Sequence, residues 1–217
     1  MALRPVYVPG LNGTKLVIPV EIEFQWFPGF SITQKQKSIA CLHAAAAQRN
    51  IANVLEISSK SPNTLGIQLS AFNLKFPMRD GHHISIENVF QSSKIFENGG
   101  PYLDLLQASA KDAKTDPRLR SSGQLRGFCL ADIAWPLQPV TAFYDWLYLT
   151  ALQSSPDLSS QLLEYDGFSD IEFNPNRSLN CQAASAALFV SLMKRDEFDT
   201  VMQTQQTFLE RLNRNTK

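Results

Sequence analysis

The sequence predicts an α+β fold in one structural domain, on three observations. Short segments that alternate apolar and polar side chains lie in the first third. Amphipathic segments rich in helix formers dominate the remainder. No internal repeat, low-complexity tract or long linker divides the chain. At 217 residues, 44% of them hydrophobic and 14 of them Phe, the chain can build a sizeable core.

In order, residues 5 to 26 predict strands around a turn at Asn12-Gly13. Val20 to Trp26 alternates strictly, as a half-buried strand should. Pro28-Gly29 breaks that run, and Thr33 to Asn50 predicts a helix capped by Thr33. Val54 to Ser58 is a short strand, and Leu65 to Phe76 a further strand and loop. Asp80-Gly81 is a tight turn feeding His82 to Ser85. From Ile84 the spacing predicts a helix that carries Glu87, Gln91 and Lys94 on one face and stops at Asn98-Gly99-Gly100-Pro101. A second helix starts at Pro101. Lys111 to Gly127, polar and basic, reads as a surface loop. Val140 to Gln153 is a strong helix and Leu158 to Leu163 a short one. Asp166 to Arg177 is loop or irregular strand. Ser178 caps a helix running to about Lys194, and one amphipathic helix from Asp196 to Asn213 closes the chain.

Composition excludes several function classes. Lys+Arg and Asp+Glu both number 20, so a protein that grips nucleic acid through many phosphates is not expected; any such contact must be local. Cys41, Cys129 and Cys181 are scattered and odd in number, and read as buried thiols in a reducing compartment. His43, His82 and His83 have no partners at metal-ligand spacing. No apolar run approaches membrane-spanning length and no signal-peptide pattern opens the sequence, so a soluble, cytoplasmic protein is expected. Phosphate-loop, dinucleotide-fingerprint and nucleophile-elbow motifs are absent.

Four constellations remain, each with two readings. The Glu87-Gln91-Lys94 stripe is either a solvated helix face worth a few tenths of a kcal/mol, or a carboxylate and an amine set to act on a glycosidic bond. Asn98-Gly99-Gly100, followed by Pro101 and Tyr102, is a helix C-cap, or glycine-rich backbone suited to phosphate. Trp135, Tyr144, Asp145 and Trp146 are core aromatics and their neighbours, or a stacking platform, with Trp135 the better candidate. Asp170, in Phe168 to Pro175, is turn chemistry, or an acid that the fold returns to Glu87. Residue chemistry alone stops at an α+β domain with a candidate polar cleft.

The run LSAFNLKFPMRDGHHISIENVFQSSKIF (Leu69 to Phe96) resembles the NADAR (NAD- and ADP-ribose-associated) family. So does LLEYDGFSDIEF with NPNRSLNCQAASAALFVSLMKR (Leu162 to Arg195). The segments EFQWFPGFSITQKQKSIACLHAAA, FENGGPYLDLL, DPRLRSSGQLRGF and TAFYDWLYLTAL are similar to the branch of NADAR antitoxins paired with DarT-type DNA ADP-ribosyltransferase toxins. The resemblance implies a mainly helical core over residues 65–217, with a small antiparallel sheet and a β-rich extension, 1–64, packed on it. It implies an N-glycosidase that removes ADP-ribose from guanine in single-stranded DNA, yielding ADP-ribose and reversing the toxin's action, without cofactor or metal.

Carried over by position, the resemblance makes Glu87, Lys94 and Asp170 catalytic. Ser70, Phe72, Gln91, Asn98, Gly99, Gly100, Tyr102, Trp135, Trp146 and Asn180 become ligand contacts. Ala71 and Phe173 depart from the family pattern, standing where many relatives have Asn and Trp. The same resemblance leaves two other readings open: N-glycosidase action on ribosylated riboflavin precursors, and neutralisation of a toxin by direct contact.

Overall fold

The computed structural model describes residues 1–174 and 178–214; Pro175 to Arg177, part of the expected Asn-Pro turn, lie outside them. The elements run β1 (Ala2–Pro9), β2 (Val17–Phe24), α1 (Ile32–Ala47), β3 (Val54–Glu56), α2 (Thr64–Gln68), β4 (Lys75–Pro77), β5 (His83–Ser85), α3 (Ile86–Ser92) and β6 (Lys94–Phe96). After a 3-10 turn (Leu103–Gln107) come α4 (Ala110–Thr115), α5 (Arg118–Ser121), β7 (Leu125–Leu130), β8 (Ile133–Trp135), α6 (Ala142–Gln153) and α7 (Pro156–Ser159). A second 3-10 turn (Ser160–Glu164) leads to β9 (Gly167–Ser169), α8 (Gln182–Lys194), α9 (Phe198–Met202) and α10 (Gln205–Arg214). This mixture is α+β, as the sequence predicts. The residues group into two compact units, Met1–Ser70 with Ser155–Lys217, and Ala71–Ser154. None of the described helices is long and apolar enough to cross a membrane.

In the first unit a four-stranded sheet has the order β2-β1-β9-β3. β1 and β2 pair antiparallel from Ala2↔Phe24 to Pro9↔Val17, and β3 runs parallel to β9. One face packs on α1 through Val6, Ile22, Phe24, Ile39 and Leu42. Tyr7 follows Val6, so strand alternation turns it to the other face. There its hydroxyl meets Cys181, the residue that opens α8. Small side chains on α8 (Ala183, Ser185, Ala186, Ala187) are buried and let the helix lie close to β1 and β9.

In the second unit a hairpin, β4 and β5, leads directly into α3, and β6-β7-β8 form an antiparallel sheet. Ser85 caps α3 by accepting the Asn88 amide at 3.2 Å, and every residue of the helix is buried. α6 packs against α3 and β4, burying Phe143, Tyr144, Leu147 and Tyr148.

Several elements differ from expectation, for local reasons. The helix holding Glu87 ends at Ser92, and Lys94 opens a strand. The Ser92 and Ser93 hydroxyls both donate to the Val89 carbonyl, at 3.0 and 2.7 Å, alongside the Ser93 amide, and the Ser93 carbonyl accepts the Cys129 amide of β7 at 2.8 Å in place of a further helix donor. Lys94-Ile95-Phe96 then pairs with β7. Ser31, not Thr33, caps α1. Leu65 to Gln68 is helical because Asn63 Oδ1 accepts the Leu65 amide at 2.9 Å. The expected loop from Lys111 to Gly127 holds α4, α5 and the start of β7. α4 is opened by Ser109, which accepts the Asp112 amide at 3.1 Å while its hydroxyl donates to the Asp112 carboxylate at 2.6 Å. The segment after Pro101 is a 3-10 turn, and Gly100-Pro101 is a cis peptide. Cys181, not Ser178, opens α8. The closing helix is two helices, since Thr204 and Thr207 bond each other's amides and start a second one. Cys41 and Cys129 are half-buried where burial was expected; Cys181 is buried.

Replacing Phe143, buried among other rings of the second unit, by Ala should lower unfolding free energy by roughly 3–5 kcal/mol. Phe30→Ala, at a position 97% exposed, should change it by less than about 0.5 kcal/mol. Denaturant titration compares the two; equal effects would mean that ring packing does not hold the second unit together.

Candidate active site

The two ends of α3 bring an acid, an amide and an amine together. Glu87 and Gln91 stand four residues apart on the helix, and Gln91 Nε2 donates to Glu87 Oε1 at 2.8 Å. Gln91 Oε1 is buried and, among the described residues, has no hydrogen-bond partner. Lys94, past the helix end, places its ammonium 4.7 Å from the centroid of the Phe90 ring. Glu87 Oε2 lies 3.5 Å from the ammonium of Lys114 on α4, and that ammonium also sits 4.9 Å over the ring of Phe72. The expected grouping of Glu87, Gln91 and Lys94 is therefore present, built on a helix and a strand where one helix face was expected.

Burial pushes Lys94 down to about 8; the Lys114 charge pushes the same way and the Glu87 carboxylate opposes it. The source of the burial is an aromatic floor. Phe90 lies 5.5 Å from Phe128, 6.2 Å from Phe143 and 5.3 Å from Tyr144. Trp135 continues the cluster, 5.5 Å from Phe143 and 5.2 Å from Trp146. Trp135 is 4% exposed, so its ring is engaged in packing within the unit. Roughly one Lys94 side chain in ten is then neutral at pH 7, against about one in three thousand for an ordinary lysine.

The Asn98-Gly99-Gly100 loop folds back on the same lysine. Gly100 has φ +87, and a Cβ there would come within 2.1 Å of the Lys94 carbonyl oxygen. A Cβ on Gly99 would meet the Tyr102 hydroxyl at 2.3 Å. That hydroxyl is hydrogen-bonded to Ser122, and the Tyr102 ring lies 4.5 Å from the Arg118 guanidinium. The Asn98 amide donates to Ser122 and the Tyr102 amide to Ser92. These glycines are required by close approach, and the loop fixes the backbone from which Lys94 projects.

Ser70, Asp170 and Asn180 belong to the first unit. Ser70 Oγ donates to the Ile67 carbonyl at 2.8 Å. Asn180 Oδ1 is buried with no hydrogen-bond partner among the described residues. Asp170 accepts the Glu172 and Phe173 amides on Oδ1, at 3.0 and 3.1 Å, and Gln182 Nε2 on Oδ2 at 3.0 Å. Burial and then the nearby Glu56 carboxyl hold Asp170 well above the usual carboxylate range, and burial does the same to Glu56. Glu56 accepts from Ser58 Oγ at 2.7 Å, Ser169 Oγ at 2.6 Å and the Ile171 amide at 2.8 Å. His43 Nε2 is hydrogen-bonded to Ser169 Oγ, 2.9 Å away, which extends the group to α1. Burial lowers His43 to about 4, so it is neutral there.

Sequence reasoning missed Lys114 and Glu56. Lys114 sat inside the segment read as loop, although the Ser109-x-x-Asp112 capping pattern could have placed it on a helix. Glu56 stands inside the apolar run Val54-Leu55-Glu56-Ile57, where a lone acid signals a partnered, buried carboxyl.

Comparison with known proteins agrees with the resemblance drawn from the motifs. The family model described as DarT1-associated NADAR antitoxin matches residues 2–217. Comparison with curated proteins finds no match. Glu87, Gln91, Lys94 and Lys114 all fall within the matched span, and the chain belongs to the family of DarT1-associated NADAR antitoxins.

Proposed function

We propose that the chain is an N-glycosidase that releases ADP-ribose from guanine in single-stranded DNA, undoing the modification made by a DarT-type toxin. The family assignment supplies the functional link to such a toxin. The observation that carries the chemistry is Lys94, an amine over an aromatic ring, lowered to about 8, beside Glu87. Cleaving a ribosyl-nitrogen bond needs a group that meets developing positive charge at the anomeric carbon and a group that moves one proton.

In this reading neutral Lys94 bonds to the anomeric carbon as the guanine nitrogen leaves. The ionised Glu87 takes the proton from the lysine nitrogen and passes it to the guanine. Water then adds to the same carbon, Glu87 receives its proton, and the lysine departs with its hydrogen restored. The sum is one water consumed, guanine and ADP-ribose formed. Gln91 orients Glu87 through its amide and offers Oε1 to a ribose hydroxyl. The Lys114 ammonium, 3.5 Å from Glu87 Oε2, balances the charge of that carboxylate. The loop from Asn98 to Tyr102 is assigned the diphosphate, and Phe72 a face of the ligand. Asp170 acts by position, holding Gln182 and the turn at Glu172 and Phe173. Ser70 Oγ holds the Ile67 carbonyl, and Trp135, with Trp146 against it, packs on Phe143, which stacks on Phe90.

The direct test is incubation with ADP-ribosylated single-stranded oligonucleotide, followed by release of ADP-ribose. Lys94→Ala and Glu87→Gln should each slow release at least about a hundredfold. Wild-type rates in both would remove the site assignment, and no release by the unaltered protein would remove the activity.

The pH profile gives an independent check. If neutral Lys94 is the reacting form, kcat/KM rises with pH through an apparent value of about 8. Lys114 pushes Lys94 down, so Lys114→Met should move that rise to higher pH. A profile that stays put, or moves to lower pH, would show that Lys114 does not act on Lys94.

A further inference from the structure

With 20 basic and 20 acidic side chains, any contact with a nucleic-acid strand must be concentrated in one place. The first unit has a surface with that character, between β2 and α1. Trp26 is held between two cations, Arg4 with its guanidinium carbon 5.5 Å from the ring centroid and Lys35 with its Nζ at 5.1 Å. Lys37 Nζ lies 6.0 Å over Phe27, and Phe30 stands 97% exposed. An exposed phenylalanine is poor for solubility and contributes nothing to the core.

The loop carrying these rings is firmly based. Ser38 Oγ accepts the Phe27 amide at 3.0 Å and donates to the Phe27 carbonyl at 3.3 Å, tying the loop to α1. Gly29, with φ +135, turns the chain before Phe30. The charge around it is one-sided. No acidic residue occurs anywhere in α1. Glu21 and Glu23 of β2 stand opposite Pro5 and Leu3, so strand alternation puts them on the face away from Arg4 and Trp26. Glu172 meets the patch 2.8 Å from Lys35, and Lys37 and Arg4 have no salt bridge among the described residues.

Rings interleaved with cations match a partner that offers flat bases and phosphates in alternation. An acidic peptide would use the cations and leave Phe30 in water; an apolar peptide would use Phe30 and leave the cations uncompensated. We infer that the Trp26–Phe30 loop and the first turns of α1 form a docking surface for single-stranded DNA, Phe30 stacking on a base while Lys37 and Arg4 attract phosphates. This rests on the DNA substrate proposed above, but it concerns holding the strand, not cutting the glycosidic bond.

The test is fluorescence anisotropy of a labelled, unmodified oligothymidylate titrated with the full chain. Binding should weaken as salt rises. Phe30→Ala should weaken it on the order of tenfold, and Phe30→Trp should hold or strengthen it. Lys37→Glu should weaken it and flatten the salt dependence. Thermal melts of these exposed-site variants should match the parent, which separates lost docking from lost folding. No binding by the unaltered chain, parent affinity in a Phe30→Ala/Lys37→Glu double variant, or equal competition by a polyglutamate peptide would each overturn the inference. Lys94→Ala should bind the oligonucleotide as the parent does while losing ADP-ribose release. If the parent releases no ADP-ribose but the double variant still loses binding, the glycosidase reading fails and the docking surface stands.

Discussion

A lysine ammonium held over an aromatic ring, largely out of water, is the constraint on which the second unit is organised. Water solvates an ammonium far better than rings do, and cation–π attraction recovers part of the loss. The unit maintains this arrangement through covalent order and packing. α3 ends at Ser92, the Ser93 carbonyl takes the Cys129 amide, β6 pairs Lys94 with Phe128, and Gly100 lets the following loop press on the Lys94 carbonyl. The floor under the amine, Phe90 with Phe128, Phe143 and Tyr144, is also the unit's core. Site and core are thus one set of residues, and the amine cannot be relaxed into water without disturbing both.

The first unit is organised around a buried acid instead. Glu56 ends β3 and receives three donors, two of them supplied by Ser169 and Ile171 on the returning chain. Those bonds join β3 to the segment that follows β9, more than a hundred residues later in sequence. They are charge-assisted when Glu56 is ionised and remain satisfied in part when it is not. Next to it, Asp170 holds the amides of Glu172 and Phe173 and the Gln182 side chain. Gln182 Nε2 also donates to the Ile57 carbonyl at 2.7 Å, so β3, the turn and α8 share one polar junction.

Much of this was legible in the sequence where pattern and local chemistry agreed. Alternation gave β2, helix-former runs gave α1 and α6, and Asp80-Gly81 gave the β4–β5 turn. The motif match placed Glu87, Gln91 and Lys94 in one neighbourhood. What misled was periodicity carried across Ser92-Ser93: a spacing of three or four residues cannot report that the Ser93 carbonyl and Lys94 pair with a strand more than thirty residues later. Trp135 stands just outside a helix, and its packing on Phe143 and Trp146 is a tertiary contact that the sequence could not report. Lys114 and Glu56 owe their importance to partners brought from distant parts of the sequence, and no local window contains such information. Asp170 was visible as an acid beside a turn; its donors became evident only in three dimensions.

The displaced proton affinity of Lys94 has a thermodynamic side. The folded chain releases that proton at about pH 8, and an ordinary lysine, as in the unfolded chain, does so near 10.5. Between those values the unfolded chain binds more protons, so this residue makes the fold firmer as the solution becomes more alkaline. Below about pH 8 both forms are protonated, and the full desolvation cost of the ammonium weighs against folding. Near neutrality, then, the native state carries a standing penalty at this position. A methionine of similar length would escape it, and selection for foldability alone would favour that exchange. Lysine at 94 is a residue that folding alone would discard and that the proposed chemistry would keep.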